Sequence, residues 1–417
     1  MSGLSITNGI DKDKLTRLAG GLIVAVAVSL PWSTSATAIL VVLWLLVIIP
    51  TLRWVDIRSE LITPAGGLPV LLVGVGLAGM LWADVTLLER WKGFESFLKL
   101  LVIPLLFVQY RRSIRWEWVF AGYLLSCVAL LVATTVVMAI PAWSAVLIRH
   151  DGVLIKSAAT QSGELVTCIF GLLYCLTDAI ERRRWQLSLC LVAVILAMLG
   201  NILYVATGRT ALVVALVLLI LYAIRNLSAK GVALIAAGAL LIGIAGWMSS
   251  PYLRGRTIQV WTDLKKYEDT DERTSSGERV EFSKKSIEFI WQSPVIGHGT
   301  GSIRALFAKA AAGHTATAGV AAANPHNQTL AVGIQLGLIG VAILWAMWIA
   351  HISLFGGKGL VAWVGLVIVM QTVIGSVFNS HLFDFVQGWV YVIGVGVAGG
   401  CVLRTRNFNR AGERSKF

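Results

Sequence analysis

The sequence is dominated by a succession of long apolar segments. Most approach the roughly 20 residues that an α-helix needs to cross a bilayer. Only 14% of the 417 residues are charged and 57% are hydrophobic, so one water-exposed fold cannot bury this apolar surface. The pattern predicts an all-α polytopic membrane protein with about twelve transmembrane helices. We place them near residues 15–31, 36–52, 68–83, 95–110, 119–139, 158–178, 187–203, 210–224, 230–248, 327–353, 359–378 and 384–403.

The loops between these segments alternate in charge. Residues 31–35 carry no charge and residues 379–384 carry one acidic residue, whereas the other set is rich in Lys and Arg. Cytoplasmic loops hold such an excess, so we expect both termini to lie in the cytoplasm. The cationic set comprises Lys12, Lys14, Arg17, Arg53, Arg58, Arg111, Arg112, Arg115, Arg182, Arg183, Arg184, Arg225, Lys230, Lys358 and the tail from Arg404.

One long polar segment, residues 249–326, interrupts the apolar pattern. It carries ten Lys and Arg and eight Asp and Glu, and its parity places it on the outer side, where long translocated loops escape the charge rule. Four regions follow: transmembrane helices 1–9 over 1–248, a loop domain over 249–326, transmembrane helices 10–12 over 327–403, and a basic cytoplasmic tail over 404–417. Within the loop, Val280–Trp291 reads as an amphipathic helix whose apolar face holds Val280, Ile287 and Ile290, with Glu281 and Lys285 paired.

The sequence Asn324-Pro325-His326-Asn327 opens the tenth apolar segment. Asn is a good helix N-cap and Pro favours the first helical position, which predicts His326 in the first helical turn. His326, Leu330, Gly333, Gly337 and Gly340 then recur on one helix face. Near a helix N-terminus an imidazole stays neutral and can accept a proton. Alternatively, His326 only ends a loop and the glycines only let helices pack closely.

Several arginines fall at the same predicted membrane face. Arg209, within Thr207-Gly208-Arg209-Thr210, lies next to hydrocarbon, where a charge is costly and usually has a partner. Arg279 ends Ser276-Gly277-Glu278-Arg279, ahead of a glycine-rich loop that contains Gly297 and Gly299. Guanidinium groups match phosphate oxygens bidentately, although lipid headgroups are an alternative partner. Three further arginines lie at this same outer face: Arg149, Arg254 and Arg256.

Two further patterns do not support an active site. Asp269-Thr270-Asp271 has the D-x-D form of metal-dependent sugar transferases, but it lies in a charged run without apolar framing, which is typical of a solvated surface. The hydroxyl residues around Thr207 and Ser380 have no His and Asp at triad spacing. We therefore expect no metal site.

These motifs together resemble the O-antigen ligase and polymerase superfamily. His326-Asn327 followed after nine residues by Gly337-x-x-Gly340 is similar to the signature of WaaL-type O-antigen ligases. Thr207-Gly208-Arg209-Thr210 resembles the superfamily's short arginine segment, with threonines at both ends in place of serine and glycine. Ser276–Arg279 with Pro294-x-x-Gly297-x-Gly299 resembles its loop motif, and Arg149-x-x-Gly152 resembles an upstream arginine motif.

The resemblance implies a GT-C-like membrane glycosyltransferase that needs no metal or other cofactor. Its expected substrates are an O-antigen polysaccharide on undecaprenyl pyrophosphate and the lipid A–core acceptor, at the periplasmic face of a Gram-negative inner membrane. Membrane lipids are further partners, and nucleic acid is not expected. The implied catalytic residues are His326, Arg209 and Arg279. The implied substrate-binding residues are Arg149, Arg254, Arg256, Asn327, Gly297, Gly299 and Gly337.

Two other functions remain open from the sequence. A sister enzyme, an O-antigen polymerase or an O-linked protein oligosaccharyltransferase, has related motifs, but the spacing of His326 and the glycines favours the ligase. A transporter of anionic lipid or polysaccharide would also need arginines. Transporters usually place their polar groups near the membrane midplane, whereas these arginines gather at one predicted membrane face.

Overall fold

A computed structural model describes residues 12–113, 115–147, 153–206, 208–249, 251–270 and 272–414. The described residues form α-helices joined by turns and two short 3₁₀ segments. The first half contains α1 (Lys12–Ser29), α2 (Thr34–Ile48), α3 (Trp54–Leu61), α4 (Pro64–Ala78), α5 (Leu87–Leu98), α6 (Val102–Arg112), α7 (Trp116–Ala139), α8 (Pro141–Leu147) and α9 (Ala158–Glu181). The second half contains α10 (Trp185–Tyr204), α11 (Arg209–Asn226), α12 (Ala229–Ser249), α13 (Pro251–Thr270), α14 (Ser275–Gln292), α15 (Ile303–Ala311), α16 (Gln328–Leu354), α17 (Leu360–Gly375) and α18 (Phe385–Arg414).

The all-α, multi-pass membrane architecture is confirmed. Within the described residues, eight helices are long and apolar enough to cross a membrane, and a ninth arises if α3 and α4, which meet at 89°, count as one broken span. The eight are Thr34–Thr51, Trp116–Ala139, Ala158–Glu181, Trp185–Tyr204, Arg209–Asn226, Ala229–Ser249, Gln328–Leu354 and Phe385–Arg406.

All twelve predicted segments overlap helices, but some helices are not complete spans by length and composition. The helix α1 has too many charged residues to count as a complete span, since it contains Lys12, Lys14 and Arg17. The 16 residues of α17 reach only about 24 Å at 1.5 Å per residue, short of a hydrocarbon core about 30 Å thick.

The fourth predicted segment is broken by Lys99. A 3₁₀ turn at Lys99–Leu101 separates α5 from α6. The buried Lys99 ammonium donates to the backbone carbonyls of Phe383 at 3.2 Å and Asp384 at 2.8 Å. A buried ammonium needs such acceptors. The break therefore ties this segment to the connection between α17 and α18.

The segment before α16 packs directly onto the membrane helices. It runs from the end of α12 at Ser249 to the start of α16 at Gln328. Phe282, Phe289 and Phe307 form an apolar cluster with Ala331 and Ile334 of α16. We call the end of the bundle that carries this segment the loop end.

The predicted apolar face of α14 is only partly correct. Ile290 packs against the apolar cluster, but Ile287 is 48% exposed. The buried positions are Gly277, Phe282, Lys285, Ser286 and Phe289. The buried face differs from the predicted one because Phe282 and Phe289 pack against α16. The Lys285 ammonium donates to the Ala318 carbonyl at 2.6 Å. The predicted Glu281–Lys285 pair is confirmed, with 3.6 Å between its charged groups. At the other end of the chain, residues 404–414 continue α18 as helix.

Candidate functional site

His326 lies just before α16, not inside its first turn as predicted. The helix begins at Gln328, and Asn327 is the N-cap, whose side-chain oxygen accepts from the Leu330 backbone N–H at 3.1 Å. Asn324 does not cap the helix because its Oδ1 accepts from the His326 N–H at 2.9 Å. That local bond makes a turn, and His326 adopts a left-handed φ of 55°.

The His326 ring is half-buried between two elements. Its Nδ1 lies 3.1 Å from Oδ1 of Asn379, in the connection between α17 and α18. Phe282 of α14 stacks on the ring, with 6.3 Å between centroids and 21° between planes. These two contacts fix where the imidazole stands at the loop end.

The surroundings of His326 favour a neutral imidazole. Burial lowers its pKa below the usual 6.5, and the hydrogen bond with Asn379 raises it by a smaller amount. On α14, the positive charge of Arg279 lowers the pKa further, while Glu278 raises it slightly. Because the net shift is downward, the ring is neutral and able to accept a proton near neutral pH.

Arg279 and Arg209 lie close together. Burial lowers the pKa of the Arg279 guanidinium, and the charge of Arg209 lowers it further, although Arg279 keeps an exposed surface. Among the described residues, neither arginine makes an ion pair with a carboxylate, and Glu278 is bonded instead to Arg273. Two neighbouring cations without a counter-charge form a place for an anion.

The position of Arg209 follows from a close helix contact. Arg209 is the first residue of α11, directly after Gly208. A Cβ on Gly208 would lie 2.2 Å from Oγ of Ser162 on α9, so any larger residue would require the Ser162 hydroxyl to move. The structure thus places Arg209, Arg279 and His326 near one another at the loop end. The sequence predicted all three at the same membrane face.

The remaining predicted arginines are not joined to this group by a described contact. Arg254 is exposed on α13. Arg149 lies outside the described residues, and so does the side chain of Arg256. Their roles in substrate binding stay predictions.

The glycine-rich loop closes on a break in α16. Gly337 has φ 62° and ψ −161°, so the predicted continuous face of His326 and glycines is interrupted there. Gly299 donates to the Gln335 carbonyl at 2.9 Å, and Leu338 donates to Pro294 at 2.8 Å. These bonds replace helical ones lost at the break.

Each of these glycines meets protein backbone. A Cβ on Gly297 would lie 2.5 Å from the Gln335 carbonyl carbon, and one on Gly337 would lie 2.3 Å from the Val295 oxygen. Both residues also have a positive φ. Gly299, with φ 89°, approaches Ala83 in the same way. The structure gives these glycines packing roles, and their contact with substrate stays a prediction.

Sequence reasoning missed the polar connection between α17 and α18. Asn379 Nδ2 donates to Asp384 Oδ2 at 2.8 Å, and Ser380 Oγ donates to Asn324 Oδ1 at 2.7 Å. Asp384 also borders a polar cavity of about 310 Å³ that Lys92 and Arg304 line. The signal was present in the sequence, because polar residues and one acid between two apolar segments are costly unless they have partners.

The described residues contain no cluster of three or more His, Cys, Asp or Glu suited to a metal ion. Asp269 lies in the last turn of α13, and Asp271 is outside the described residues.

Comparison with known proteins gives a family match over part of the chain. No curated protein matches the chain. Residues 194–345 match a family model described as O-antigen ligase. The matched region runs from α10 through most of α16 and therefore contains Arg209, Arg279 and His326. Residues 194–345 are therefore similar to the O-antigen ligase family, in a chain whose helices are those of a multi-pass membrane protein.

Proposed function

We propose that this chain transfers an O-antigen polysaccharide from undecaprenyl pyrophosphate to lipid A–core. The transfer takes place at the periplasmic face of a Gram-negative inner membrane, where the loop end lies, with both chain termini in the cytoplasm. The match of residues 194–345 to the O-antigen ligase family model supports a ligase- or polymerase-type glycosyltransferase. The spacing from His326-Asn327 to Gly337 and Gly340 favours the ligase within that group.

One observation carries this proposal: His326, whose pKa is lowered, lies near Arg279, which lies near Arg209, and neither arginine pairs with a carboxylate among the described residues. Arg279 acts electrostatically on both His326 and Arg209. The arginines suit the pyrophosphate, which is anionic before and after transfer, and they stabilise the charge that develops on the leaving oxygen. His326 suits the acceptor hydroxyl, whose proton must leave as that oxygen attacks.

The reaction we propose is a single inverting displacement. The acceptor oxygen forms a bond to the anomeric carbon of the donor sugar while its proton passes to His326. The bond from that carbon to the pyrophosphate oxygen breaks, and undecaprenyl pyrophosphate leaves with the electron pair. Because pyrophosphate bound by two guanidinium groups is a good leaving group, the step requires neither a general acid nor a metal ion.

An apolar groove offers a place for the donor's lipid chain. It encloses about 610 Å³ between α11 and α12, and its lining includes Leu216, Leu219, Ala239 and Leu240. Arg209 begins α11, so the groove starts about two helical turns from the proposed pyrophosphate site. In this arrangement the pyrophosphate of an amphiphilic donor lies near Arg209 and its lipid chain lies in the apolar groove.

The decisive experiment is ligation by the purified protein in lipid nanodiscs, with defined donor and acceptor. We expect transfer of preformed polymer to lipid A–core, and we expect His326→Ala and Arg209→Ala to abolish it while the proteins remain monodisperse. Chelators should leave the rate unchanged. Full activity of His326→Ala would refute the base assignment, and loss of activity in EDTA would revive Asp269 and Asp271 as a metal site.

The same assay separates the alternative enzymes. An O-antigen polymerase lengthens polymer on undecaprenyl pyrophosphate and leaves the lipid A–core unmodified, whereas a protein oligosaccharyltransferase glycosylates an added acceptor protein. A transporter releases no undecaprenyl pyrophosphate in a one-membrane assay. Any of these three outcomes would replace the ligase assignment.

A further inference from the structure

We propose that Asn379 is the positioning residue that holds His326 with its proton on Nδ1 and its lone pair on Nε2. This inference rests on the proposed function of His326 as general base. It follows from the orientation of two side-chain amides, each of which is fixed by a neighbour that can only donate or only accept.

The first fixed amide belongs to Asn324. The backbone N–H of His326 can only donate, and it lies 2.9 Å from one side-chain atom of Asn324, which must therefore be the amide oxygen. Ser380 donates its hydroxyl to the same oxygen at 2.7 Å. The NH₂ group of Asn324 then faces Asn379, with 3.4 Å between Nδ2 and Oδ1.

The second fixed amide belongs to Asn379. An ionised Asp384 carboxylate can only accept, and it lies 2.8 Å from one side-chain atom of Asn379, which must be the NH₂ nitrogen. The Asn324 NH₂ group approaches the other atom, as an oxygen requires. Both neighbours thus turn the Asn379 oxygen towards Nδ1 of His326, which lies 3.1 Å away.

This arrangement decides where the imidazole carries its proton. Only a protonated Nδ1 can donate to the Asn379 oxygen, so the neutral ring has its lone pair on Nε2. When the acceptor hydroxyl attacks, its proton goes to Nε2, and the imidazolium that forms keeps its Nδ1–H bond to Asn379. A triad carboxylate has the same orienting effect on its histidine, but here a neutral amide does this work.

Asp384 must remain ionised for the arrangement to hold. Burial raises the pKa of Asp384, and the nearby charge of Lys99 lowers it. Lys92 and Arg304 line the cavity that Asp384 borders, whose other charged lining group is Glu89. Around the ring itself, the charged neighbours are Arg279 and Glu278 on α14.

The first test is steady-state ligation across a range of pH by the full-length protein in nanodiscs. Asn379→Ala should lower kcat by about tenfold to a hundredfold, as loss of an orienting partner typically does, and change the donor KM by less than about threefold. Because the Asn379 bond raises the His326 pKa, its loss should move the acid limb of the kcat profile to lower pH. The exchange Asn379→Asp/Asp384→Asn keeps an oxygen towards His326 and a donor towards residue 379 while it moves the negative charge next to the ring, so it should retain activity and move that limb to higher pH.

A matched control is Asn226→Ala, which removes an amide that, among the described residues, bonds to the Tyr222 carbonyl of its own helix. It should leave kcat and the pH profile unchanged. A merely structural role for Asn379 would lower the amount of folded protein without opposite pH shifts in the two variants. Wild-type kcat and pH profile for Asn379→Ala would overturn the inference.

The second test does not depend on activity. In ¹⁵N-histidine-labelled protein, the His326 signal, assigned by its loss in His326→Gln, should report the Nδ1–H tautomer. Asp384→Asn lets the Asn379 amide reverse, so it should shift this signal towards the Nε2–H tautomer. The double variant Asn379→Ala/Asp384→Asn should be no less active than Asn379→Ala alone, since both changes remove one arrangement.

The two proposals fail in different ways. Full activity of His326→Ala would refute the base assignment, while the tautomer measurement still tests the amide arrangement. An Nε2–H tautomer in the wild-type protein would refute the Asn379 inference, whatever His326→Ala does to ligation.

Discussion

Arg209 lies close enough to Arg279 for its positive charge to lower the pKa of the Arg279 guanidinium, and neither has a carboxylate partner among the described residues. In the absence of substrate these like charges repel. An anion between them removes this repulsion, so the free protein holds an unfavourable interaction that substrate relieves.

Removing one of these charges should separate stability from activity. We expect Arg209→Gln to lower kcat by about 10²- to 10³-fold, as loss of one charge-stabilising group typically does. The thermal midpoint, measured by the unfolding of purified protein, should stay equal to the wild-type value or rise. Inorganic pyrophosphate should stabilise the wild-type protein and not the variant. A large fall in midpoint would show that Arg209 is needed for folding.

Charges on α14 should tune His326 in opposite directions. Glu278 raises the His326 pKa and Arg279 lowers it. Glu278→Gln should therefore lower this pKa and move the acid limb of the kcat profile to lower pH, since the ring stays neutral further into acid. Arg279→Gln should raise the His326 pKa in a titration followed by ¹⁵N-histidine signals. Shifts of the same sign in both variants would contradict the electrostatic account.

The conformation of Gly337 should make it essential for stability. Its φ is 62°, and a Cβ would lie 2.3 Å from the Val295 carbonyl oxygen. We expect Gly337→Ala to destabilise the protein by about 1–3 kcal/mol through backbone strain, seen as a lower thermal midpoint. Gly238→Ala is the control, because a Cβ there has no atom within 4 Å.

The same measurement tests the role of Gly297. Gly297→Ala should also lower the thermal midpoint, because its φ is 69° and it meets the backbone at Gln335. Wild-type stability with a raised donor KM would instead show that Gly297 contacts substrate, as the sequence predicts.

The groove between α11 and α12 should determine which lipid chains are accepted. Ala239→Trp fills the groove and should raise KM for a long polyprenyl donor at least tenfold, with little effect on a short-chain analogue. Leu241→Trp is the control, because Leu241 is 67% exposed on the same helix and does not line the groove. Equal effects on both donors would place the lipid chain elsewhere.

The sequence predicted the membrane architecture because hydropathy is a local property. Short motifs, which are also local, gave three candidate site residues, and their roles stay predictions. The number of complete spans was harder to predict. Whether Lys99 breaks a helix depends on carbonyl acceptors at residues 383 and 384, almost three hundred positions away in the chain. The apolar face of α14 likewise depends on which side meets α16, which helical periodicity alone does not decide.

The roles of Asn379 and Asp384 were not predicted for a related reason. The sequence indicates only that polar residues between two apolar segments need partners, and the partners themselves, at residues 324–326, are set by a tertiary contact. The start of α16 was misplaced because Asn324 and Asn327 are equally good N-caps in isolation. The bond from the His326 N–H to Asn324 decides between them.

The backbone hydrogen bonds between the glycine-rich loop and the break in α16 have a mechanical consequence. His298 and Gly299 bond to the carbonyls of residues 334 and 335 before the break, while Leu338 and Ile339 bond to residues 294 and 295 after it. These bonds hold the loop that follows α14 against both sides of the bend, so the spacing between His326, just before α16, and Arg279 of α14 is constrained by backbone hydrogen bonds. Arg209 is held separately, through the contact of Gly208 with Ser162 of α9. In the proposed reaction the pyrophosphate of the donor links these two separately supported parts of the site.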